Sequence, residues 1–176
     1  MNLKSAILKD YSKKHASQLA DYIGEDTERF DELMQLFLGN TYIITQRSAW
    51  VVGICCERYP SLITPYLEKM ILNLRNDVHD AVKRNSVRIL QNVDLPNELL
   101  GEAADVCFQL LSCRSEPVAV KVFSMSVLLN IVNKVPELKN ELKIIIEDQL
   151  PHASPGFLSR GKKILKALEK IQSTST

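Results

Sequence analysis

Residues 60–93 read PSLITPYLEKMILNLRNDVHDAVKRNSVRILQNV, and the second half of this stretch is echoed three more times along the chain. Each echo carries a small residue followed by mostly apolar residues three, four and seven positions later. The small residues are Ala49, Ser86, Ser124 and Gly161, at intervals of 37, 38 and 37 residues. A period of roughly 20–50 residues is typical of stacked helical arrays, in which each unit buries its apolar face against its neighbours.

The composition is that of a folded protein. Of 176 residues, 45% are apolar and 24% are charged, which argues against intrinsic disorder. The net charge of +1 favours no class of partner by itself, so any electrostatic argument depends on where the charges lie. The first 15 residues contain no apolar run of signal-peptide length, and no segment approaches the roughly 18 apolar residues of a membrane span. We therefore expect a cytoplasmic protein that does not enter the membrane.

Helical periodicity of 3.6 residues runs through every long segment, so we predict an all-α protein. Pro60, Pro96 and Pro136 separate successive units. We expect a single domain over residues 1–172 and a polar tail at 173–176. The predicted helices are an N-terminal capping helix over about 3–23 and four pairs, at 27–38 with 41–59, 61–75 with 77–93, 97–113 with 116–134, and 137–150 with 155–172.

Residues at the ends of these segments predict how the helices begin and end. Gly39 is placed to end a helix in the left-handed conformation. Asn40, Asp77 and Ser115 precede second helices at matching positions, which suits N-caps, and Ser154 suits an N-cap of the last helix.

The second helices resemble those of the HEAT repeat, whose pattern is Asp-x4-Val-Arg-x2-Ala-x3-Leu. The chain reads Asp77-x4-Val82-Lys83-x2-Ser86-x3-Leu90 in one unit and Ser115-x4-Val120-Lys121-x2-Ser124-x3-Leu128 in the next. The resemblance covers about residues 26–172, with weaker matches in the first and last units. It implies a right-handed α-α superhelix of about four HEAT-like, armadillo-like helix pairs, in which the second helices line the concave side. Such solenoids serve many tasks, so the resemblance implies a binding surface without naming a partner.

Charge is divided between the two kinds of helix. As groups, the first helices are net negative and the second helices are net positive. Much of the positive charge lies in the last second helix, which carries Arg160, Lys162, Lys163, Lys166 and Lys170.

Positions opposite the small-residue column predict an exposed ridge on the second helices. This ridge is basic in the second and fourth units and more apolar in the first and third, where it includes Val51. The alternative is that each charged run is an ordinary solvated face. The candidate partner-binding residues on this ridge are Arg47, Arg84, Arg88, Lys163 and Lys166. As a binding surface, these residues should be exposed and free of carboxylate partners.

Residues that would carry chemistry are scattered. Cys55, Cys56, Cys107 and Cys113 lack the spacing of metal ligands, so we interpret them as buried free thiols. The side chains of His79 and Asp80 point in different directions on a helix, which disfavours acid–base catalysis by this pair. Trp50 is interpreted as packing between units, with base stacking as the alternative. We predict no catalytic, cofactor-binding or metal-binding residues.

The leading hypothesis is a non-catalytic HEAT-like scaffold or adaptor that binds a protein or peptide, an acidic one in particular, on its concave, partly basic face. The alternative is a nucleic-acid-binding protein related in style to the HEAT-like alkylpurine DNA glycosylases. The predicted ridge lacks the aromatic residues and the inward carboxylate of those enzymes, which disfavours glycosylase activity.

Overall fold

The computed structural model describes residues 1–171, and within them the chain forms helices without a β-strand. It divides into two compact units, the first at Met1–Ile89 and the second beginning at Leu90. The α-helices are α1 Leu3–Lys9, α2 Lys13–Ile23, α3 Thr27–Phe37, α4 Tyr42–Arg58, α5 Leu67–Asn73, α6 Asp80–Leu90, α7 Leu100–Ser112, α8 Val118–Val132, α9 Lys139–Gln149 and α10 Pro155–Leu168.

In the first unit, α4 lies at the centre and packs against α1, α2 and α3. It can be surrounded because its buried residues occupy several faces. They are Ile44, Thr45, Ser48, Ala49, Val51, Val52, Gly53, Cys55 and Cys56. By contrast α2 is amphipathic and buries one stripe, formed by Ala16, Leu19, Ala20 and Ile23.

In the second unit, α8 has the corresponding central position and packs against α7, α9 and α10. Its apolar residues also cover several faces, and Val120, Val127, Leu128 and Ile131 are fully buried or nearly so. α10 buries a single stripe at helical spacing, formed by Phe157, Gly161, Ile164 and Leu168.

The predicted N-terminal capping helix is interrupted and forms two helices, α1 and α2. The break falls at Ser12, whose hydroxyl accepts a hydrogen bond from the backbone N–H of His15 and donates one to Asp10, at 2.6 Å. Ser12 has an extended backbone and caps α2, so a second helix begins here instead of a continuation of α1. The first helix of the next pair is also shortened, because its beginning, Pro60–Tyr66, is a 3-10 helix containing two prolines, and α5 starts only at Leu67.

Several predicted helix ends are wrong. Positive φ occurs in residues 1–171 at Gly24, with φ 53°, and not at Gly39. Asp77 is not the N-cap of α6. His79 caps this helix instead, and its Nδ1 accepts a hydrogen bond from the backbone N–H of Ala81 at 2.8 Å. The N-cap positions of α4 and α8 are Thr41 and Pro117 instead of Asn40 and Ser115. Ser154 does cap α10, as predicted.

The small-residue column is buried throughout. Ala49, Ser86 and Ser124 are at most 1% exposed, and Gly161 is buried as well. Each lies on the second helix of its pair, α4, α6, α8 or α10, which is where the repeat places it. This confirms the predicted fold class, an all-α solenoid of HEAT-like helix pairs. The single-domain boundary stays a prediction, and the predicted tail at 173–176 lies outside the described residues.

None of the helices in residues 1–171 is both long and apolar enough to cross a lipid bilayer.

Candidate binding surface

The first unit exposes a mixed apolar and basic stripe along α4. Ile43, Arg47, Trp50 and Ile54 follow one another at i, i+4, i+7 and i+11, so they share one face of the helix. Ile43 is 45% exposed, and the other three are half-buried. Tyr11, from the break between α1 and α2, is 48% exposed and meets Trp50 edge to face with 5.5 Å between the ring centroids.

The neighbouring helix α6 continues this surface. Arg88 forms an ion pair with Glu57, which lies on α4 two turns after Trp50. Arg84 lies one turn before Arg88 and is exposed, and within residues 1–171 it forms no hydrogen bond or ion pair. We call the set formed by Tyr11, Ile43, Arg47, Trp50, Ile54 and Arg84 the first-unit surface.

Arg47 is partly occupied within the molecule. Its Nη1 donates to the backbone carbonyl of Leu8 at 2.7 Å, near the end of α1. Its guanidinium carbon also lies 5.6 Å from the centroid of the Tyr11 ring. Arg47 therefore holds Tyr11 in place as well as contributing positive charge.

Two expectations for this face are wrong. Val51, predicted on the exposed ridge, is 2% exposed, because α4 packs against the N-terminal helices on that side. Arg88 was expected to lack a carboxylate partner and instead pairs with Glu57. Arg58, on the same ridge as Val51, also faces the N-terminal helices and forms an ion pair with Asp21 of α2.

The second unit presents a lysine stripe on α10. Lys162, Lys163 and Lys166 are exposed, and Lys170 follows the helix on the same side. Within the described residues none of the four forms an ion pair. Arg160 of the same helix points elsewhere and donates to the Ser126 hydroxyl of α8.

The five predicted partner-binding residues are thus divided between the units. Arg47, Arg84 and Arg88 lie on neighbouring second helices of the first unit, and Lys163 and Lys166 lie on α10 of the second. That all five serve one partner stays a prediction. Tyr11 and Ile43 were missed. Ile43 could have been found from its spacing to Trp50, whereas only the folded chain brings Tyr11 to a tryptophan 39 residues away.

Groups capable of chemistry are dispersed or buried. Within residues 1–171, His, Cys, Asp and Glu form no group of three placed to hold a metal ion. Burial raises the pKa of Cys55, Cys56 and Cys107 to about 12, so these thiols stay protonated. Cys113 is exposed, contrary to the prediction of a buried thiol, and a hydrogen bond with the Ser115 hydroxyl lowers its pKa.

Comparison with known proteins agrees with the architecture. The family model described as the HEAT repeat domain matches residues 3–168. No curated protein and no solved structure matches the chain. Because the family match covers nearly the whole sequence, the chain belongs to the HEAT-repeat family.

Proposed function

We propose that this protein is a non-catalytic scaffold that binds an acidic, amphipathic protein segment on the first-unit surface. HEAT repeats generally mediate interactions between proteins, and the second helices of such arrays offer an extended binding face. The observation that carries the proposal is a partly exposed apolar stripe on α4 beside Arg84, which forms no hydrogen bond or ion pair within residues 1–171.

The apolar part of the surface supports a protein ligand. Tyr11 and Ile43 are each nearly half exposed, and the half-buried Trp50 and Ile54 lie on the same face of α4 as Ile43. Contiguous exposed apolar side chains with a polar border are typical of interaction sites. Tryptophan, tyrosine and arginine are also the residue types enriched among those that dominate binding energy. An amphipathic helix or strand would bury its apolar side chains here.

The charges favour an acidic ligand. Glu57 is neutralised by Arg88, and Asp80, one turn before Arg84, forms no ion pair with it. Arg84 therefore keeps its full donor capacity for a ligand, and its planar guanidinium suits bidentate pairing with a carboxylate. Arg47 adds positive charge at the other end of the stripe, since only its Nη1 is used by the Leu8 carbonyl.

A matched pair of charge reversals tests this proposal. Arg84→Glu should weaken binding of an acidic amphipathic peptide, whereas Lys69→Glu should not, because Lys69 is also exposed but lies on α5, outside the surface. Anisotropy of a labelled peptide, titrated with each full-length variant, measures the effect. Equal affinity of the two variants would remove the first-unit surface from consideration.

A nucleic acid is the second candidate, and the lysine stripe on α10 is the observation that favours it. Three exposed lysines on α10 and Lys170 just after it attract any polyanion and select no particular nucleic-acid sequence. Binding of duplex DNA should then fall steeply between low and physiological salt, whereas a partly apolar peptide contact should change little.

We infer a cytoplasmic location from the cysteines. All four thiols are unpaired, and three of them are buried. Free buried thiols are typical of proteins from reducing compartments. Fractionation of cells that produce the full-length chain tests this location.

A further inference from the structure

The second unit contains a cavity of about 700 Å³ that the proposed function does not use. It lies where the last turn of α9 meets the beginnings of α8 and α10. Its volume is in the range of sites that bind small molecules. The lining residues that matter here are Arg114, Val118, Lys121, Gln149, His152 and Phe157.

Lys121 is the unusual member of this lining. Its side chain is buried, with 9% of the residue exposed, although lysine is rarely buried without an anionic partner. Its Nζ donates to Oε1 of Gln149 at 2.9 Å, and this amide is in turn fixed by donating to the Leu111 carbonyl at 3.0 Å. Within the described residues no carboxylate pairs with Lys121. A buried ammonium with three donors and a single neutral acceptor is left with its charge uncompensated.

The surroundings of Lys121 add further positive potential. Pro117, at the N-cap position of α8, has no side chain that caps the helix, so the first N–H groups of α8 lack a side-chain acceptor. A Cβ atom on Gly156, in the first turn of α10, would lie 3.7 Å from Cγ1 of Val118, so the two helix beginnings are adjacent. Arg114 also lines the cavity and forms no ion pair within residues 1–171.

Two carboxylates share the lining, and neither compensates Lys121. Glu116 has an interaction partner of its own, although its Oε2 is buried without a hydrogen-bond partner, and Asp148 is exposed to solvent. The apolar part of the wall comes from Val118, which is 43% exposed, and from the edge of the largely buried Phe157. The cavity therefore combines an apolar wall with a buried cation that has no direct ion-pair partner, in a lining that also includes the carboxylates of Glu116 and Asp148.

We propose that this cavity binds a small organic oxyanion, a carboxylate or a phosphate ester, which compensates Lys121 while its apolar body rests on Val118 and Phe157. Charge-assisted hydrogen bonds from Lys121 and the free N–H groups of α8 would hold the oxygen atoms. This site is independent of the first-unit surface, and its failure would leave the scaffold proposal unchanged.

Four probes of related shape test the proposal on the full-length chain: benzoate, phenyl phosphate, phenol and inorganic phosphate. All are compared at equal ionic strength adjusted with sodium chloride, and binding is followed as a rise in Tm. Benzoate, phenyl phosphate or both should raise Tm in a saturable manner, and phenol should not. A rise with benzoate alone or phenyl phosphate alone identifies the favoured oxyanion, and a rise with inorganic phosphate as large as with phenyl phosphate contradicts the apolar contact. No rise with either organic anion overturns the proposal.

Substitutions then locate the site. Lys121→Met should weaken probe binding by about tenfold or more, without lowering Tm in the absence of probe, because it removes an uncompensated buried charge. Lys143→Met, on the exposed face of α9 and outside the cavity, is the matched control and should bind normally. Arg114→Gln serves as a second test that does not disturb the core, since Arg114 is exposed, and it should weaken binding. Wild-type affinity in both Lys121→Met and Arg114→Gln would overturn the assignment.

Discussion

Arg58 of α4 and Asp21 of α2 form an ion pair across one repeat, with Nη1 of the arginine 2.5 Å from Oδ1 of the aspartate. The two residues are 37 apart in sequence, which equals the repeat interval. Arg88 bonded to Glu57 and Arg160 bonded to Ser126 likewise connect successive second helices. Much of the basic charge on second helices therefore joins neighbouring layers, whereas Arg84 and the α10 lysines form no ion pair within residues 1–171.

The Arg58–Asp21 pair should contribute little to stability. Both side chains are partly exposed, and exposed ion pairs are worth about 0.2–1 kcal/mol. A double-mutant cycle of Arg58→Met and Asp21→Asn, followed by urea unfolding, should give a coupling free energy of about this size that decreases as salt is added. A coupling well above it, or one insensitive to salt, would mean that the pair is a major determinant of the N-terminal packing.

Ser86 should tolerate a smaller side chain better than a larger one. It is 1% exposed, and its hydroxyl has no hydrogen-bond partner. Ser86→Leu should overpack the layer and lower the free energy of unfolding by about 1–3 kcal/mol. Ser86→Ala should leave stability unchanged or raise it, because it removes a buried hydroxyl that makes no bond. Thermal and urea unfolding of the Ser86→Leu and Ser86→Ala variants measure both effects. A Ser86→Leu variant as stable as the wild type would refute the close approach of α6 to its neighbours.

Two glycines should respond to alanine in opposite directions. A Cβ atom on Gly101 of α7 would meet nothing within 4 Å, so Gly101→Ala should stabilise the protein by up to about 1 kcal/mol through helix propensity. On Gly161 of α10 the same atom would lie 3.1 Å from Cγ2 of Ile146 and 3.2 Å from Cδ2 of Leu150. Overpacking of about 1–3 kcal/mol should outweigh the propensity gain there. Equal Tm changes for the two variants would contradict the tight contact of α9 with α10.

Cys113 should be the reactive thiol of the native protein. Its pKa is lowered by the Ser115 hydroxyl, so at a pH below the usual thiol pKa more of it is thiolate, and thiolate is the form that iodoacetamide alkylates. Intact-mass measurements should show one modification of the folded protein and four after denaturation, since the other three thiols are buried. Ser115→Ala should raise the pKa of Cys113 and shift its rate–pH profile to higher pH. An unshifted profile would show that the hydroxyl does not stabilise the thiolate.

The fold could be predicted from the sequence where the sequence pattern repeats at a fixed interval. The small-residue interval placed α4, α6, α8 and α10 correctly, because each repeat buries equivalent positions against its neighbours. Helix ends were predicted less well, since they depend on single local bonds. Either Asp77 or His79 could cap α6, and the choice of His79 depends on how the backbone folds before the helix.

The candidate site could be predicted only in part, because some of its contacts join residues that are distant in sequence. Pairing at i±4 can be judged within one helix, but Arg88 and Arg47 find partners 31 and 39 residues away. Helical spacing predicts Val51 on the exposed ridge only if α4 is covered on one side. The N-terminal helices cover a second side, and this contact between distant segments carries no local signal.

The most direct test of the scaffold proposal uses Trp50, the single tryptophan of the chain, which lies within the first-unit surface. An acidic amphipathic peptide without aromatic residues is titrated into the full-length protein while Trp50 fluorescence is recorded. We expect a saturable blue shift, because the bound peptide excludes water from the half-buried indole. We also expect that the shift weakens in Arg84→Glu, remains in Lys69→Glu, and is absent with a peptide of the same pattern carrying lysines. Saturable peptide binding, measured independently by anisotropy, that leaves the Trp50 spectrum unchanged would contradict the account.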